Sequence, residues 1–336
     1  MVLEEYHSDI LGELKAIVNG DSPLFQLLKY HLGWTDEDGA VVPGGHPGKL
    51  LRPTFCLMSC EAAGGDWRQA IPAAAAIELI HNFSLIHDDI EDCSVLRRGR
   101  RTLWAIWGTP LAINAGDAMH TLAGMEMLRL SQSGLPPKRI VDAMTMFNEA
   151  SLALCEGQHL DLTYEKRLDI TSDDYLAMIS GKTAALFECS FGIGALLGTG
   201  RQSVIRKFRD CGRSLGLAFQ IKDDILGIWG GEETGKSVES DLQEKKKTLP
   251  VVYALRKAKG SDLDTLTGFY RNPKPSRRDI AGARKALEHA GAREYAETTA
   301  GAYLKQAFEA LDASGLPPKA LEDLRAAARM VVEREF

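Results

Sequence analysis

Apolar residues recur at helical spacing along most of the chain. The stretch 70–92 keeps this spacing through several turns without a glycine, and without a proline after Pro72. The same periodicity without an internal proline runs through 111–130, 139–154, 173–186, 204–226 and 321–332. Alternating β-branched runs bounded by turn residues are nearly absent. The pattern predicts an all-α protein built from long helices.

Turn-forming residues mark the boundaries between these helices. The hexapeptide Ser-Gly-Leu-Pro-Pro-Lys occurs at 133–138 and again at 314–319, each time just before a helical pattern. Proline is tolerated near the first helical position, so both copies read as helix starts. The stretches 34–49 and 230–247 have loop compositions, and no Pro/Ser-rich linker divides the chain. We therefore expect a single domain over residues 1–336.

Composition and charge narrow the range of partners. Of the 336 residues, 45% are hydrophobic and 26% are charged, which is typical of a folded globular protein. A net charge of −6 gives no general attraction to nucleic acid, and we expect no such partner. An anionic substrate must then be held by a local group of basic side chains or by bridging cations. The six cysteines include no CxxC pair and predict no disulfide framework.

We expect a cytoplasmic protein because the sequence shows neither a secretory signal nor a membrane-spanning stretch. The N-terminus has no basic start followed by an apolar core, so no secretory signal is expected. The longest apolar stretch, 71–86, is interrupted by Pro72, Glu78, His81 and Asn82. By this interpretation it is too short and too polar to span a bilayer, which predicts no stable membrane anchor and a cytoplasmic protein.

Three aspartates end the most apolar of the predicted helices. Asp88 and Asp92 are one helical turn apart on the same face, and Asp89 is their neighbour. Three carboxylates in such a setting repel one another and are costly to desolvate unless something neutralises them. Magnesium prefers a few carboxylates together with phosphate oxygens. A solvated acidic helix end is the plainer alternative, but the apolar approach to it argues for a magnesium–diphosphate site.

A second aspartate pair repeats the arrangement downstream. Gln220, Asp223, Asp224 and Gly227 fall at i, i+3, i+4 and i+7, on one stripe of a helix. An isolated Asp-Asp pair in a helix is usually just solvated. Two such pairs, each flanked by apolar residues and followed by a basic segment, are much harder to attribute to chance.

The basic segments supply groups that bind phosphate. Phosphate oxygens favour arginine forks, lysine charges and the backbone N–H groups of glycine-rich turns. Any one of these runs taken alone could be a solvated face. The segments are Gly48-Lys49-Leu-Leu-Arg52, Arg97-Arg98-Gly-Arg100-Arg101, Gly181-Lys182-Thr183, Gly235-Lys236 and Lys245-Lys246-Lys247. No Walker loop, zinc pattern or nucleophile elbow competes with this interpretation.

In the order and spacing of these motifs, the sequence resembles the polyprenyl diphosphate synthases, the trans-isoprenyl diphosphate synthase family, over about 44–253. The resemblance implies an isoprenoid synthase fold with helices around a deep central cavity, and commonly a homodimer. It implies a Mg²⁺-dependent condensation of isopentenyl diphosphate with an allylic diphosphate, with three ions per active site. In the family, the released pyrophosphate is thought to take the proton.

The resemblance also implies roles for individual residues. The expected magnesium ligands are Asp88, Asp89, Asp92, Asp223 and Asp224, and the expected catalytic residues are Asp88, Asp89, Asp92, Lys182 and Asp223. The expected ligands of the allylic diphosphate are Arg97, Lys182, Thr183, Gln220, Lys236 and Lys246. The expected ligands of isopentenyl diphosphate are Gly48, Lys49, Arg52, His81 and Arg98. His81 could instead be a core histidine bonded to a backbone carbonyl.

Product length is argued from the helix that carries the first aspartates. Phe83 lies five residues before Asp88, about 7.5 Å further down the helix axis, where a ring can stop a growing chain, and Ser84 beside it leaves some room. This pattern resembles the archaeal type of short-chain synthase. Geranylgeranyl diphosphate (C20) is the expected product, with farnesyl diphosphate (C15) next. Ordinary core packing of Phe83 is the alternative.

One departure and two rival functions remain open. Gly227 stands where the family usually has a third aspartate, so that ligand must come from water, from Glu232 or Glu233, or be dispensable. A class I terpene cyclase of the same fold would also ionise an allylic diphosphate, but it would not need Lys49 and Arg52. A non-catalytic subunit of a heteromeric synthase would have lost first-motif aspartates, which are intact here.

The first aspartate motif yields a direct test. Asp88→Ala should nearly abolish prenyl transfer while leaving the fold intact, because it removes a carboxylate expected to hold magnesium. Turnover and the circular dichroism spectrum of the purified variant check both halves of this expectation. A near-normal rate would remove Asp88 from the site.

Overall fold

The computed structural model describes residues 4–45, 48–230 and 240–333. Helices make up nearly all of the regular structure in these ranges, which confirms the predicted all-α class. The first half contains α1 His7–Ile17, α2 Pro23–His31, α3 Leu51–Ala62, α4 Ile71–Glu91, α5 Leu103–Trp107, α6 Thr109–Leu128 and α7 Pro137–Tyr164. The second half contains α8 Ser172–Ile179, α9 Ala185–Gly198, α10 Gln202–Trp229, α11 Ser240–Gln243, α12 Leu249–Lys257, α13 Gly260–Arg271, α14 Arg277–His289, α15 Ala292–Asp312 and α16 Pro318–Val332.

The residues group into two compact units, and each is described by itself. The first unit comprises Met1–Asn148, Cys189–Phe208 and Leu316–Leu324. The second unit comprises Glu149–Glu188, Arg209–Gly315 and Arg325–Phe336. The expectation of one domain over 1–336 stays a prediction.

Helix α4 is the core of the first unit. A short 3₁₀ helix, Trp67–Ala70, leads into it, and proline at its second position lacks only a hydrogen bond that a helix start would not make. The small side chains at 73–76 are fully buried and let α3 and α6 pack closely against it. The helix ends at Glu91, and Asp92 is its C-cap.

The stretch Trp67–Glu91 is, by length and composition alone, apolar enough to cross a membrane, and 67% of its most apolar window is buried inside the protein. The expectation that 71–86 is too short and too polar is therefore wrong by those two criteria, because the helical stretch continues beyond both ends. The buried core helix of a globular protein passes the same test. The absence of a membrane anchor stays a prediction.

A small hairpin follows α4 and was not predicted. Its strands, β1 Leu96–Arg97 and β2 Arg100–Arg101, are antiparallel, with Arg97 opposite Arg100. The two turn residues, Arg98 and Gly99, have φ of 52° and 74°, the positive values that a tight two-residue hairpin turn requires. This turn brings the four arginines of the motif together beside the end of α4.

The second unit is built on two hydrophobic clusters. One gathers α8, α10, α12 and α15 around Tyr175 and Ile221. The other gathers α12, α13 and α14 around Phe269 and Leu287. Capping boxes start α8 and α14: Thr171 pairs with Asp174, and Ser276 pairs with Asp279.

The predicted continuous helix over 173–186 is interrupted. Residues Ser180–Ala184 form a π-helical turn between α8 and α9, a local widening that often marks functional sites. Gly157 of α7 and Gly181 of this turn face each other so closely that a Cβ on Gly157 would lie 2.0 Å from the backbone nitrogen of Lys182. Because neither glycine has a side chain, the two backbones pack directly against each other, and this contact positions the backbone of Lys182.

The crossing predicts a specific loss of stability. Gly157→Ala should lower the melting temperature, because the methyl group meets backbone atoms that cannot yield, at a cost of about 1–3 kcal/mol. The matched control is Gly301→Ala in α15, where no atom lies within 4 Å of the added Cβ and alanine should be neutral or stabilising. Equal melting temperatures for the two variants would contradict the proposed constraint.

Candidate active site

The end of α4 places one of its three aspartates against an arginine. Asp89 is only 3% exposed, and Arg97 Nε donates to its Oδ1 at 2.7 Å. Burial raises the pKa of Asp89 to about 6, although Arg97 favours the charged form. Asp88 is half-buried and Asp92 is exposed. The ion pair between Arg97 and Asp89 therefore links the hairpin to the end of α4.

The three carboxylates do not converge on one point. Within the described ranges, no group of three or more His, Cys, Asp or Glu side chains is arranged to hold a metal ion. The chemistry of the set nonetheless fits magnesium, which takes one or two carboxylates and completes its shell with water and phosphate oxygens. The assignment of Asp88, Asp89 and Asp92 as ligands stays a prediction.

An arginine-lined cavity of about 240 Å³ opens beside Asp89. Its lining includes four arginines, Arg97, Arg98, Arg100 and Arg101. Two of these, Arg97 and Arg98, were predicted to bind the two diphosphates. Such a density of guanidinium groups is suited to a polyanion with several oxygens, because each fork can donate two hydrogen bonds.

Arg100 has a structural role that the sequence did not reveal. Its Nη2 donates to the carbonyl of Thr35 at 2.6 Å, and its Nη1 donates to the carbonyl of Tyr30 at 3.2 Å. Its guanidinium also lies 4.1 Å from the centre of the Tyr30 ring. Arg100 thus holds the hairpin against α2 and the segment that follows it.

Behind this cavity, α3 and α4 contribute a buried polar group. Arg52 Nη1 lies 3.4 Å from His81 Nε2. Burial and the nearby positive charge of Arg52 hold the pKa of His81 well below its usual range, so the ring is neutral at pH 7. Gly48 has a φ of +120°, and a Cβ there would lie 2.7 Å from Arg98 Nη2. The structure therefore brings Gly48 to Arg98 and Arg52 to His81, while the Lys49 side chain is exposed.

Glu78 belongs to this group and was missed. It is 2% exposed, and Asn82 Nδ2 donates to its Oε1 at 2.9 Å. Burial raises its pKa to about 7, while the charges of Arg52 and Arg98 act in the opposite direction. The sequence does show Glu78 as a single glutamate in an alanine-rich helix. On its own, that glutamate indicates only an interruption of an apolar stretch.

In the second unit, Asp224 is the centre of a hydrogen-bond network. It is 4% exposed and accepts from the Tyr175 hydroxyl, from Gln220 Nε2 at 2.9 Å and from the Leu249 backbone N–H at 3.0 Å. Burial and then the nearby Asp241 raise its pKa to about 7. Both of its oxygens have protein donors, whereas Asp223 is half-buried on the same helix. The assignment of Asp223 and Asp224 as magnesium ligands stays a prediction.

The Gly181-Lys182-Thr183 motif joins that network. Thr183 Oγ1 donates to Gln220 Oε1 at 2.7 Å, so the amide of Gln220 connects Thr183 to Asp224. Lys182 Nζ donates to Asp161 of α7 at 2.5 Å. The structure thus brings together three predicted residues, Thr183, Gln220 and Asp224, and it adds Tyr175, which no sequence pattern indicated.

Gly227 is explained by Asp241. A Cβ on Gly227 would lie 1.9 Å from Asp241 Oδ2, so a carboxylate already occupies the space that a third aspartate would need. Asp241 is 6% exposed. It was not among the alternatives for the missing ligand, and Glu232 and Glu233 lie outside the described residues.

The basic residues after α11 differ from one another. Lys246 is half-exposed and pairs with Glu244 at 2.9 Å. Lys247 is buried, donates to the Glu165 carbonyl at 3.0 Å and lies over the ring of Tyr270, a structural role. The remaining predicted diphosphate ligand, Lys236, lies outside the described residues.

Phe83 is half-buried between two histidines. Its ring centre is 4.7 Å from that of His87 and 5.1 Å from that of His120 in α6, both edge-on. Ser84 is buried, and its hydroxyl donates to the His81 carbonyl at 2.8 Å. These contacts show packing; the role of Phe83 and Ser84 in chain length stays a prediction.

The sequence profile of the family described as polyprenyl synthetase matches residues 44–287. The chain is 38% identical to a (2E,6E)-farnesyl diphosphate synthase of Mycobacterium tuberculosis, over 99% of this chain and 93% of that one. It is 36% identical to a geranylgeranyl diphosphate synthase of Sulfolobus acidocaldarius, over 96% of both chains. A polyprenyl synthetase structure from Streptomyces coelicolor superposes with a TM-score of 0.92 at 35% identity, covering 98% of each chain.

Helices that carry two aspartate elements, one of them beside an arginine-lined cavity, define the class of isoprenoid synthases. The profile match over residues 44–287 agrees with that class, and the relatives agree with it over almost the whole chain. The chain belongs to the polyprenyl synthetase family.

The buried Glu78 predicts a pH dependence of stability. Its folded pKa is about 7 against an ordinary value of 4.5, so the folded state binds the proton more tightly than the unfolded state. The stabilising contribution is complete below pH 4.5 and is lost as the pH rises through about 7. Glu78→Gln keeps an acceptor for Asn82 and should remove this loss, which is at most about 3 kcal/mol.

Urea unfolding of wild type and variant at several pH values measures this difference, without magnesium or substrate. The wild-type stability minus that of Glu78→Gln should decrease from acid to neutral pH. Glu322→Gln, at an exposed site on α16, is the matched control and should show a constant difference. A constant difference for Glu78→Gln would contradict the assignment.

Proposed function

We propose that this protein is a short-chain polyprenyl diphosphate synthase, a prenyltransferase that condenses isopentenyl diphosphate with an allylic diphosphate. The observation that carries the proposal is the arginine-lined cavity beside the buried Asp89. An acidic helix end next to clustered guanidinium groups is the combination needed to hold a diphosphate through both cations and arginine forks. The farnesyl and geranylgeranyl diphosphate synthases among the relatives support it.

The reaction begins with ionisation of the allylic C–O bond, which places negative charge on the departing diphosphate. Bound magnesium would supply positive charge that stabilises this leaving group. Asp88 and Asp92 in the first unit, and Asp223 in the second unit, would each offer a carboxylate to such an ion within their own unit. Arg97, held by Asp89, adds a fixed positive group in the cavity and costs no reorganisation during the reaction. The resulting allylic cation is attacked by the double bond of isopentenyl diphosphate, and loss of a proton completes the product.

The second substrate is assigned to the polar group behind the cavity. Arg52 and Arg98 bind its diphosphate, and the glycine at 48 lets the backbone approach Arg98. His81 is neutral, so it offers one donor and one acceptor without adding charge. Arg52 lies close enough to Glu78 for its charge to oppose the rise in pKa that burial causes at Glu78. Glu78 therefore belongs to the same polar group as Arg52 and His81.

The assembly and the location form part of the proposal. Leu111, Met125 and Leu128 lie on one stripe of α6 and are 48%, 60% and 54% exposed. A row of exposed large apolar side chains on a helix supports a protein–protein interface. We assign this stripe to a homodimer, and we place the enzyme in the cytoplasm.

A product assay tests the proposal. Purified protein receives isopentenyl diphosphate, Mg²⁺ and, in separate reactions, dimethylallyl, geranyl or farnesyl diphosphate, and the products are analysed after phosphatase treatment. Extended prenyl alcohols support a synthase, and their loss on chelation of the metal supports the magnesium assignment. A hydrocarbon would identify a terpene cyclase, and no turnover with any primer would favour a non-catalytic subunit.

The chain-length assignment has its own test. We assign geranylgeranyl diphosphate as the main product, with Phe83 as the floor of the chain-binding region. Phe83→Ala should shift the product distribution to longer chains, because removing the ring opens space on the side of α4 that faces His120. The product profile by chromatography measures the shift, and an unchanged profile would make Phe83 a packing residue only.

A further inference from the structure

A second, larger cavity lies in the first unit, next to the arginine-lined one. It has a volume of about 690 Å³ and is bounded by α1, α2 and the segment 34–45. Pockets of this size commonly hold small organic molecules. It contains none of the predicted substrate or metal ligands, so the proposed function gives it no role.

The lining of this cavity has an apolar part and a basic part. Leu11, Val18 and Val42 contribute aliphatic surface. Lys15 and Lys29 contribute two positive charges, and Asp21 contributes one negative charge. One surplus positive charge suits a monoanion, whereas the arginine-lined cavity suits a polyanion.

Two buried polar atoms also lie in residues that line it. Trp34 Nε1 and Thr35 Oγ1 are buried and have no hydrogen-bond partner among the described residues. A buried donor left in this state costs about 1–3 kcal/mol. A bound molecule with acceptor oxygens would recover that cost, so these atoms indicate a ligand with a polar head.

The same segment forms a wall of both cavities. Val42 and Gly45 line the two of them. The side chain of Thr35 belongs to the second cavity, while its carbonyl accepts from Arg100 of the first cavity at 2.6 Å. Gly45 packs so closely on the chain that a Cβ there would lie 2.0 Å from the carbonyl oxygen of Gly33. A ligand that displaces Thr35 therefore also disturbs the hydrogen bond from Arg100 to the Thr35 carbonyl.

We propose that the cavity bounded by α1, α2 and 34–45 binds an amphipathic carboxylate with a medium-length aliphatic tail. The carboxylate lies toward Lys15, and the tail lies along the aliphatic wall. Occupancy changes the affinity for isopentenyl diphosphate through the Thr35–Arg100 hydrogen bond. This second statement rests on the proposed function, and the first does not.

Calorimetric titration of the full chain with decanoate, below its micelle concentration, tests the site. The expected result is saturable binding of one molecule per chain, and no binding of the neutral decan-1-ol. Lys15→Glu should weaken decanoate binding at least about tenfold, because it reverses the charge at the head. Trp34→Phe keeps the ring, removes the donor and should weaken binding several-fold.

The matched control is Lys319→Glu, at an exposed lysine on α16 that lines neither cavity, and its decanoate affinity should equal that of wild type. Circular dichroism confirms that each variant is folded. Absence of saturable binding, or equal affinities for wild type, Lys15→Glu and Trp34→Phe, would overturn the site.

The coupling is measured separately, as the KM for isopentenyl diphosphate with and without decanoate. The expected shift in KM is present in wild type and Lys319→Glu and absent in Lys15→Glu. Decanoate binding without a shift in KM would overturn the coupling and leave the site standing. Decanoate binding by a protein that forms no prenyl product would overturn the proposed function and leave the site standing.

Discussion

The ion pair between Arg97 and Asp89 is the interaction on which the arrangement of the first unit depends. Asp89 is almost fully buried at the end of α4, and a carboxylate in that position is stable in its charged form only with a cation at hydrogen-bond distance. The hairpin delivers that cation through a turn with two positive φ values. Because the same turn carries Arg98 and leads to Arg100, one ion pair fixes both the acidic and the basic sides of the cavity.

The second unit also contains a buried aspartate, and neutral hydrogen-bond donors hold it in place. Asp224 accepts hydrogen bonds from the Tyr175 hydroxyl, the Gln220 amide and the Leu249 backbone N–H, all of which are neutral groups. Burial and the nearby Asp241 raise the pKa of Asp224, and its hydrogen-bond donors act in the opposite direction. Three donors still fix the carboxylate, and through Gln220 they fix Thr183. In each unit the buried aspartate thus fixes the side chains that donate to it.

Local periodicity was sufficient to predict the all-α class and the regions of α4, α6, α7, α8, α10 and α16, whereas α1–α3 and α12–α15 were not predicted. It could not predict what depends on contacts between distant residues. The π-helical turn at 180–184 needs the close approach of Gly157, which lies on another helix. Glu78 and Tyr175 join the site only because folding brings Arg52 and Asp224 to them. Neither the spacing nor the composition of a single segment contains that information.

Gly227 shows how such a contact changes the meaning of a sequence departure. In the sequence, the glycine at 227 suggests that a metal ligand has been lost from the helix. In the structure, a glycine is required there, because the Asp241 carboxylate lies where a side chain at 227 would be. The second aspartate element therefore keeps a third carboxylate, delivered from α11 across a segment that follows α10. The negative charge near Asp224 is preserved although the motif is not, and that charge is one cause of its raised pKa. In this chain the third carboxylate beside Asp224 therefore comes from Asp241 of α11, and not from the helix that carries Asp223 and Asp224.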